Sequence, residues 1–182
     1  MWYDETFFTA VRREIKRSAN GMKLRGISGN VISVACGTDG VHSFFIDEHT
    51  SKPSKQSTWE SYSGHIKPGT LIIHDGENSH SVLIERIPRC TEEVHKSDEA
   101  KKNDRRGSPL QPIDNLHSLL KRFMREHSGF KRDDLQGWLN LFAFIMNPPY
   151  SLEDKIIILL QMAVYHRKRV KYREAIGKKR LK

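Results

Sequence analysis

The chain has 182 residues, 37 % of them hydrophobic and 29 % charged, with a net charge of +9 and a mean hydropathy of −0.62. That length supports one domain with a real core and falls short of two full ones. The sequence contains no run of about 18 apolar residues, which excludes a membrane-spanning helix.

The first residues, Trp2 to Phe8, are aromatic and β-favouring and predict a strand at the very start. They offer neither a basic n-region nor an apolar h-region, so no signal peptide is expected. Residues 9–26 are basic and polar, with a turn signal at Asn20-Gly21. Asn30 to Cys36 reads as a buried strand, Gly37 to Gly40 as a hairpin turn and Val41 to Ile46 as the returning strand. Ser54 to Gly64 fits a small helix and Pro68-Gly69 a turn. Thr70 to Asp75 reads as a central strand closed by an acid and Gly76, and Asn78 to Ile87 as a helix, so that 70–87 is a strand-turn-helix unit.

Residues 91–111 hold almost no apolar groups and many charges, which predicts a disordered or functional loop. After it, apolar residues at 113, 116, 119, 120, 123 and 124 follow Pro112 at amphipathic-helix spacing, with Asp114, His117, Lys121 and Arg125 on the other face. A second helix is expected from Asp133 or Asp134 to Met146, with Leu135, Trp138, Leu139, Phe142 and Ile145 on one face, stopped by Asn147-Pro148-Pro149. A third is expected from Ser151 to about His166. The last stretch, 166–182, carries nine Lys or Arg against Glu174 alone. Such density fits a polyanion partner as well as a solubilising end. Cys36 and Cys90 stand far apart without a CxxC partner, so neither a structural zinc site nor a disulfide is expected, and the expected compartment is a reducing cytoplasm. Strands first, then a strand-helix unit, then helices: the order predicts an α/β chain with a mixed sheet and helices upon it, without internal repeats.

Two-metal phosphodiester chemistry needs a few carboxylates converging from different elements, because Mg²⁺ is hard and takes oxygen ligands. Asp4 in the first strand, Asp75 at the end of the strand 70–75 and Asp114 at the helix start meet that description. Glu5 neighbours Asp4 but points to the opposite face of a strand. Asp39 and Asp47 suit a turn and a strand end. By spacing alone such triples are common in a chain with 22 acids.

Five blocks occur in order: Tyr3-Asp4-Glu5-Thr6, Arg25-Gly26-Ile27-Ser28, Ile66 to Asp75, Pro109 to Lys121, and Gly129 to Gln136. Together they resemble the catalytic domain of DDE-type transposases of bacterial insertion sequences, over nearly the whole chain except the charged loop and basic tail. The resemblance implies an α/β, RNase H-like fold: a mixed β-sheet flanked by helices, with a C-terminal helical extension. It implies a catalytic domain over 1–147, a helix over 148–165 and a basic tail over 166–182. It places Asp4 and Asp75 at the first two aspartates and Lys121 at the lysine seven residues beyond the third acid. Asp114 stands where the family has glutamate or asparagine, one methylene shorter than glutamate. The implied cofactor is Mg²⁺ or Mn²⁺, two ions, held by Asp4, Asp75 and Asp114. The implied reaction is cleavage of DNA at element ends followed by 3′-OH strand transfer.

The same resemblance implies that Arg12, Arg13, Arg25 and the tail residues Lys168, Arg169 and Lys171 hold DNA backbone, a salt-sensitive and sequence-blind contact. His117, one turn from Asp114, is a further candidate to face the site, against the commoner packing or surface role of a histidine. Expected partners are transposon-end and target DNA and, by resemblance alone, a second copy in a homodimer; no membrane is expected, and the implied location is the bacterial cytoplasm, at the nucleoid. Family members carry an N-terminal DNA-binding region ahead of the first aspartate, so with Asp4 so near Met1 the expectation is the catalytic part of a longer protein, or a decayed copy. Two other readings stand beside this one: a non-catalytic DNA-binding remnant, and a generic RNase H-like nuclease.

Overall fold

The computed structural model of the protein describes residues 1–9, 16–24, 30–49, 52–96, 107–127 and 132–165. The chain divides after Asn147 into two compact units. In the first unit, strands β1 (Trp2–Thr9), β2 (Val31–Thr38), β3 (Ser43–Asp47), β4 (Leu71–His74) and β5 (Thr91–Val94) form one sheet in the order β3-β2-β1-β4-β5. The pairs β1–β2 and β2–β3 are antiparallel, whereas β1–β4 and β4–β5 are parallel. This is an α/β unit with an open mixed sheet flanked by helices. The middle position belongs to β1, and β4 is the inner strand beside it rather than the centre.

Helices cover both faces. On one side, α1 (Lys55–Tyr62) and α2 (Ser81–Arg86) close a core of Tyr3, Ala35, Tyr62, Ile66, Ile72, Val82, Leu83 and Ile87. On the other, α3 (Gln111–Glu126) and α4 (Leu135–Met146) close a core that includes Ile32, Val34, Phe45, Ile113, Leu116, Leu120, Leu135, Leu139 and Phe142. Because strand side chains alternate between faces, β1 sends Tyr3 and Glu5 to the first layer and Trp2, Asp4 and Phe8 to the second. With layers on both sides, β2 is almost wholly buried and reads as a mainly apolar run broken by Ser33.

Local chemistry sets the element ends. Ser54 and Ser57 form a reciprocal capping box at the start of α1. Pro112 lies in the first turn of α3, where its missing N–H costs nothing, and Asp114 in that turn suits the helix dipole. The edge strand β3 is closed by side chains of the second layer. The Ser43 and Asp47 amides donate to Asn147 Oδ1 (2.7 Å) and Gln136 Oε1 (2.8 Å), and Gln136 Nε2 donates to the Phe45 carbonyl (3.2 Å). Those contacts satisfy the outward backbone groups that would otherwise invite another strand. In the second unit, Ser151 Oγ accepts from the Asp154 amide at the start of α5 (Leu152–Tyr165), and Leu152, Ile156, Ile157, Leu159 and Leu160 are exposed.

Three sequence expectations change. The irregular connection expected over 91–111 is corrected at its start: Thr91–Val94 forms β5, while 97–106 lie outside the described residues. All four side chains of β5 are exposed, so no alternation of apolar residues marks it; backbone pairing to β4 alone makes the strand. Ile145, expected on the buried face of α4, is exposed. The turn expected from Gly37 begins two residues later, with the Asp39 amide bonded to the His42 carbonyl and Asp39 Oδ1 accepting from the Val41 and His42 amides. Gly37 belongs to β2, where a Cβ would stand 2.3 Å from the Phe44 ring. Among the described residues, no helix is long and apolar enough to cross a membrane.

Gly37 therefore matters for close approach and not for a turn. Phe44 is itself held, stacked on His65 with ring centroids 4.0 Å apart and edge-on to Tyr62. Gly37→Ala is expected to cost ~1–3 kcal/mol in denaturant unfolding, the scale of overpacking. Gly64→Ala, at a glycine with no heavy atom within 4 Å of a built Cβ, should stay within ~0.5 kcal/mol. Equal effects at the two positions would contradict this reading of β2.

Candidate functional site

The parallel register between β1 and β4 pairs Trp2 with Ile73. Two residues further along both chains, Asp4 is level with Asp75. Side chains of a strand repeat every second residue, so Asp4 lies on the face of Trp2 and Asp75 follows Ile73, both of which pack on the α3–α4 core. Between them, Tyr3 is level with His74, and their rings stack at 5.3 Å and 10°. Asp75 is the first residue beyond β4, and Gly76 (φ 89°) turns the chain at once in a conformation that side chains disfavour. Asp75 Oδ1 accepts from the Glu77 amide at 3.0 Å, which holds the carboxylate at the strand mouth.

Enclosure and a neighbouring like charge together set the electrostatics at Asp4. Burial first, then the Asp75 carboxylate, then Glu5 push Asp4 up to about 8. The Asp4 side chain is nevertheless 26 % accessible, so the group is enclosed without being sealed. On the facing helix, His117 is 8 % exposed, its Nδ1 lies 3.9 Å from Asp4 Oδ2, and its Nε2 is buried without a hydrogen-bond partner. Burial, then the nearby charge of Lys121, lower His117 to about 4, so near neutrality it is an uncharged imidazole.

The structure thus brings together Asp4, Asp75, His117 and Lys121. Asp114 lies in the first turn of α3, exposed, one turn before His117. His117 departs from the polar face on which the sequence places it, because that flank of α3 meets β1. Arg12, Arg13, Arg25, Lys168, Arg169 and Lys171 lie outside the described residues.

The opposite face of the same strands carries a second cluster, built from residues that sequence spacing did not single out. Glu5 is buried, accepts from Tyr62 Oη at 3.2 Å, and meets His80 Nε2 at 3.0 Å through both carboxylate oxygens. His80 Nδ1 faces His74 Nδ1 at 3.2 Å, and His74 Nε2 meets Glu92 Oε2 at 3.3 Å. The Gly76 amide also donates to His74 Nδ1 at 3.2 Å, so His74 presents a lone pair at Nδ1 and its hydrogen at Nε2 toward Glu92. His80 then carries hydrogens on both nitrogens, one toward Glu5 and one toward His74. Burial alone would lower His80; the hydrogen bond and charge of Glu5, joined by Asp4 and Asp75, outweigh it and raise His80 above its ordinary value. Burial and the charge of His80 lower His74.

His74, Asp75 and His80 form a group that could hold a metal ion, with one ligand atom from each within 4.8 Å of the others. The two donor sets differ in kind. Asp4 and Asp75 offer hard oxygens whose mutual repulsion a divalent cation would relieve, beside an orphaned imidazole nitrogen; this fits an oxygen-seeking ion. His74, His80 and Asp75 offer two nitrogens and one oxygen. The single sequence signal for this second cluster was the pair of histidines at either end of the Asp75 turn, which no local spacing rule distinguishes from packing residues.

The raised Asp4 makes a pH prediction. Folded Asp4 holds its proton between its ordinary 3.8 and about 8, where the unfolded chain has released it. Its contribution to stability is fully present below pH 3.8 and gone once the pH has risen through about 8. Asp4→Asn imitates the protonated acid. In chelator, the gain in melting temperature of Asp4→Asn over wild type should grow across that window and level above it; a pH-independent gain would show that Asp4 ionises as an ordinary carboxylate. No protein-family model matches this chain, and no curated protein matches it.

Proposed function

We propose that the chain is the catalytic domain of a DDE-type transposase, with an RNase H-like fold, acting on DNA by metal-dependent strand cleavage and 3′-OH strand transfer. The observation that carries the reading is the β1–β4 register, which sets Asp4 level with Asp75 on one face beneath a helix that bears His117 and Lys121. Support from the fold is that Asp4 lies on β1, Asp75 just beyond the end of the adjacent β4 and Asp114 on a following helix, in keeping with what the sequence resemblance implies.

Asp4 and Asp75 would hold the divalent ions, Mg²⁺ or Mn²⁺, with Asp114 completing the set from the start of α3. When bound, two such ions stabilise the entering and leaving oxygens of an in-line phosphoryl displacement. Asp4 must release its proton for this, which the charge of an arriving cation promotes. Lys121, two helical turns from Asp114, presents a cation to a phosphate of the strand. His117, uncharged near neutrality, packs beside Asp4 and fixes the side from which the carboxylate can be approached. Basic residues of the segment 9–26 and of the tail supply salt-sensitive backbone contacts. Assembly as a homodimer on paired DNA ends belongs to the same proposal.

The test is nicking of supercoiled plasmid in Mn²⁺ or Mg²⁺ by the wild type and by Asp75→Ala. Wild-type nicking that falls by on the order of 100-fold or more in the variant, the scale of removing one preorganised electrostatic group, supports the reading. Plasmid binding by both proteins without nicking by either, insensitive to chelator, would leave a DNA-binding remnant. Metal-dependent cleavage without joining to target DNA would instead point to a generic nuclease.

A further inference from the structure

We infer that His74, His80 and Asp75 form a second, chemically distinct metal site, one that takes a borderline transition-metal ion of the zinc type and not Mg²⁺. The site borrows Asp75 from the proposed catalytic pair but rests on the two histidines of the opposite face.

Three observations carry it. The first is the spacing: His74 Nδ1 and His80 Nδ1 stand 3.2 Å apart, and two nitrogens each ~2.0–2.1 Å from a tetrahedral zinc stand ~3.3 Å apart. The pair is already at the edge length of a coordination tetrahedron. The second is what lies behind each ring. A metal-binding histidine characteristically gives its other N–H to a carboxylate, which fixes the ring and raises its basicity. Here both do: His80 Nε2 meets Glu5 and His74 Nε2 meets Glu92, at 3.0 and 3.3 Å. The third is rigidity. His80 is fully buried and His74 is 2 % exposed. Tyr3 packs on both rings, stacked on His74 and edge-on to His80. Both imidazoles are thereby held beside one another.

The donor set decides the ion. Two imidazoles and one carboxylate suit Zn²⁺, Co²⁺ and their neighbours, whereas Mg²⁺ prefers an octahedron of oxygens. Three protein ligands leave a fourth position for a water or another ligand. Binding displaces the hydrogen now shared between the two Nδ1 atoms, which leaves as a proton to solvent, and replaces the Gly76 amide contact on His74. The ion then ties the end of β4 to the helical turn that carries His80, and fixes Asp75 from the side opposite Asp4.

Co²⁺ added to the full-length protein reads this site directly, because nitrogen coordination at low coordination number gives intense visible ligand-field bands that aqueous Co²⁺ lacks. The expected result is a saturating band, bleached by Zn²⁺ and not by Mg²⁺, abolished in His74→Ala and in His80→Ala and kept in Asp4→Asn. Should the buried histidine variants not fold, Glu92→Gln decides: it removes only the carboxylate behind His74 and should weaken Co²⁺ binding ~10–100-fold. A spectrum of free Co²⁺ with the folded wild type, or a band unchanged in Glu92→Gln and in whichever histidine variant folds, would overturn the site and leave the Nδ1–Nδ1 contact as a hydrogen bond alone. No DNA enters the measurement. A failure here is therefore separate from a failure of plasmid nicking.

Discussion

The structure depends on one register, the parallel alignment that sets Trp2 of β1 against Ile73 of β4. A parallel pair needs a long connection and cannot be imposed by a tight turn, so this alignment is held by tertiary means. The Ile73 amide donates to the Met1 carbonyl at 2.9 Å, Tyr3 stacks on His74, and Trp2 Nε1 donates to the Pro109 carbonyl at 2.8 Å just ahead of α3. A slip of one residue would send Asp4 and Asp75 to opposite faces. The apolar side chains of both layers resist that slip, and so the cores keep two carboxylates within electrostatic reach of one another. Burial there, then the neighbouring Asp75 charge, raises Asp4 to about 8.

The same alternation that places Asp4 in one layer places Glu5 in the other. Asp75, at the strand mouth, is within electrostatic reach of both faces: it raises Asp4 and supports the charge on His80. The two clusters are not independent, since an ion on one changes the field at the carboxylate they share. Tyr3 belongs to the histidine side, with its ring packed on His74, His80 and Tyr62. A single strand thus positions a hard oxygen pair on one side and a nitrogen-rich pair on the other.

How much of this was legible beforehand follows from where the information is stored. The helix α3 was readable because its buried residues Ile113, Leu116, Leu120 and Met124 repeat at the period of the helix itself. The two aspartates were readable as acids in or beside β-rich runs, and the opposite pointing of Glu5 followed from strand alternation. The strand β5 was not, because Thr91–Val94 buries no side chain and its only support is a neighbour's backbone. Nor was Gly37, whose role is set by a ring seven residues away across a hairpin. The His74–His80 contact was hidden for a related reason: six residues bracket a glycine turn and a short helical turn, and only the folded path of both brings the rings to 3.2 Å.

The third acid shows how far helix geometry alone can go. Seven residues are nearly two turns, so Asp114 and Lys121 lie within ~20° of one another around α3 and His117 is ~40–60° to the side. His117 is the one of the three that is buried, against Asp4. Asp114 and Lys121 therefore form an exposed stripe along α3, beside the buried His117. An exposed position makes the length of the acid consequential: a glutamate would reach further from the helix than the aspartate present here. On the proposed reading, Asp4 and Asp75 would then supply most of the oxygen donors, and the alignment of β1 on β4 would decide where an ion could sit.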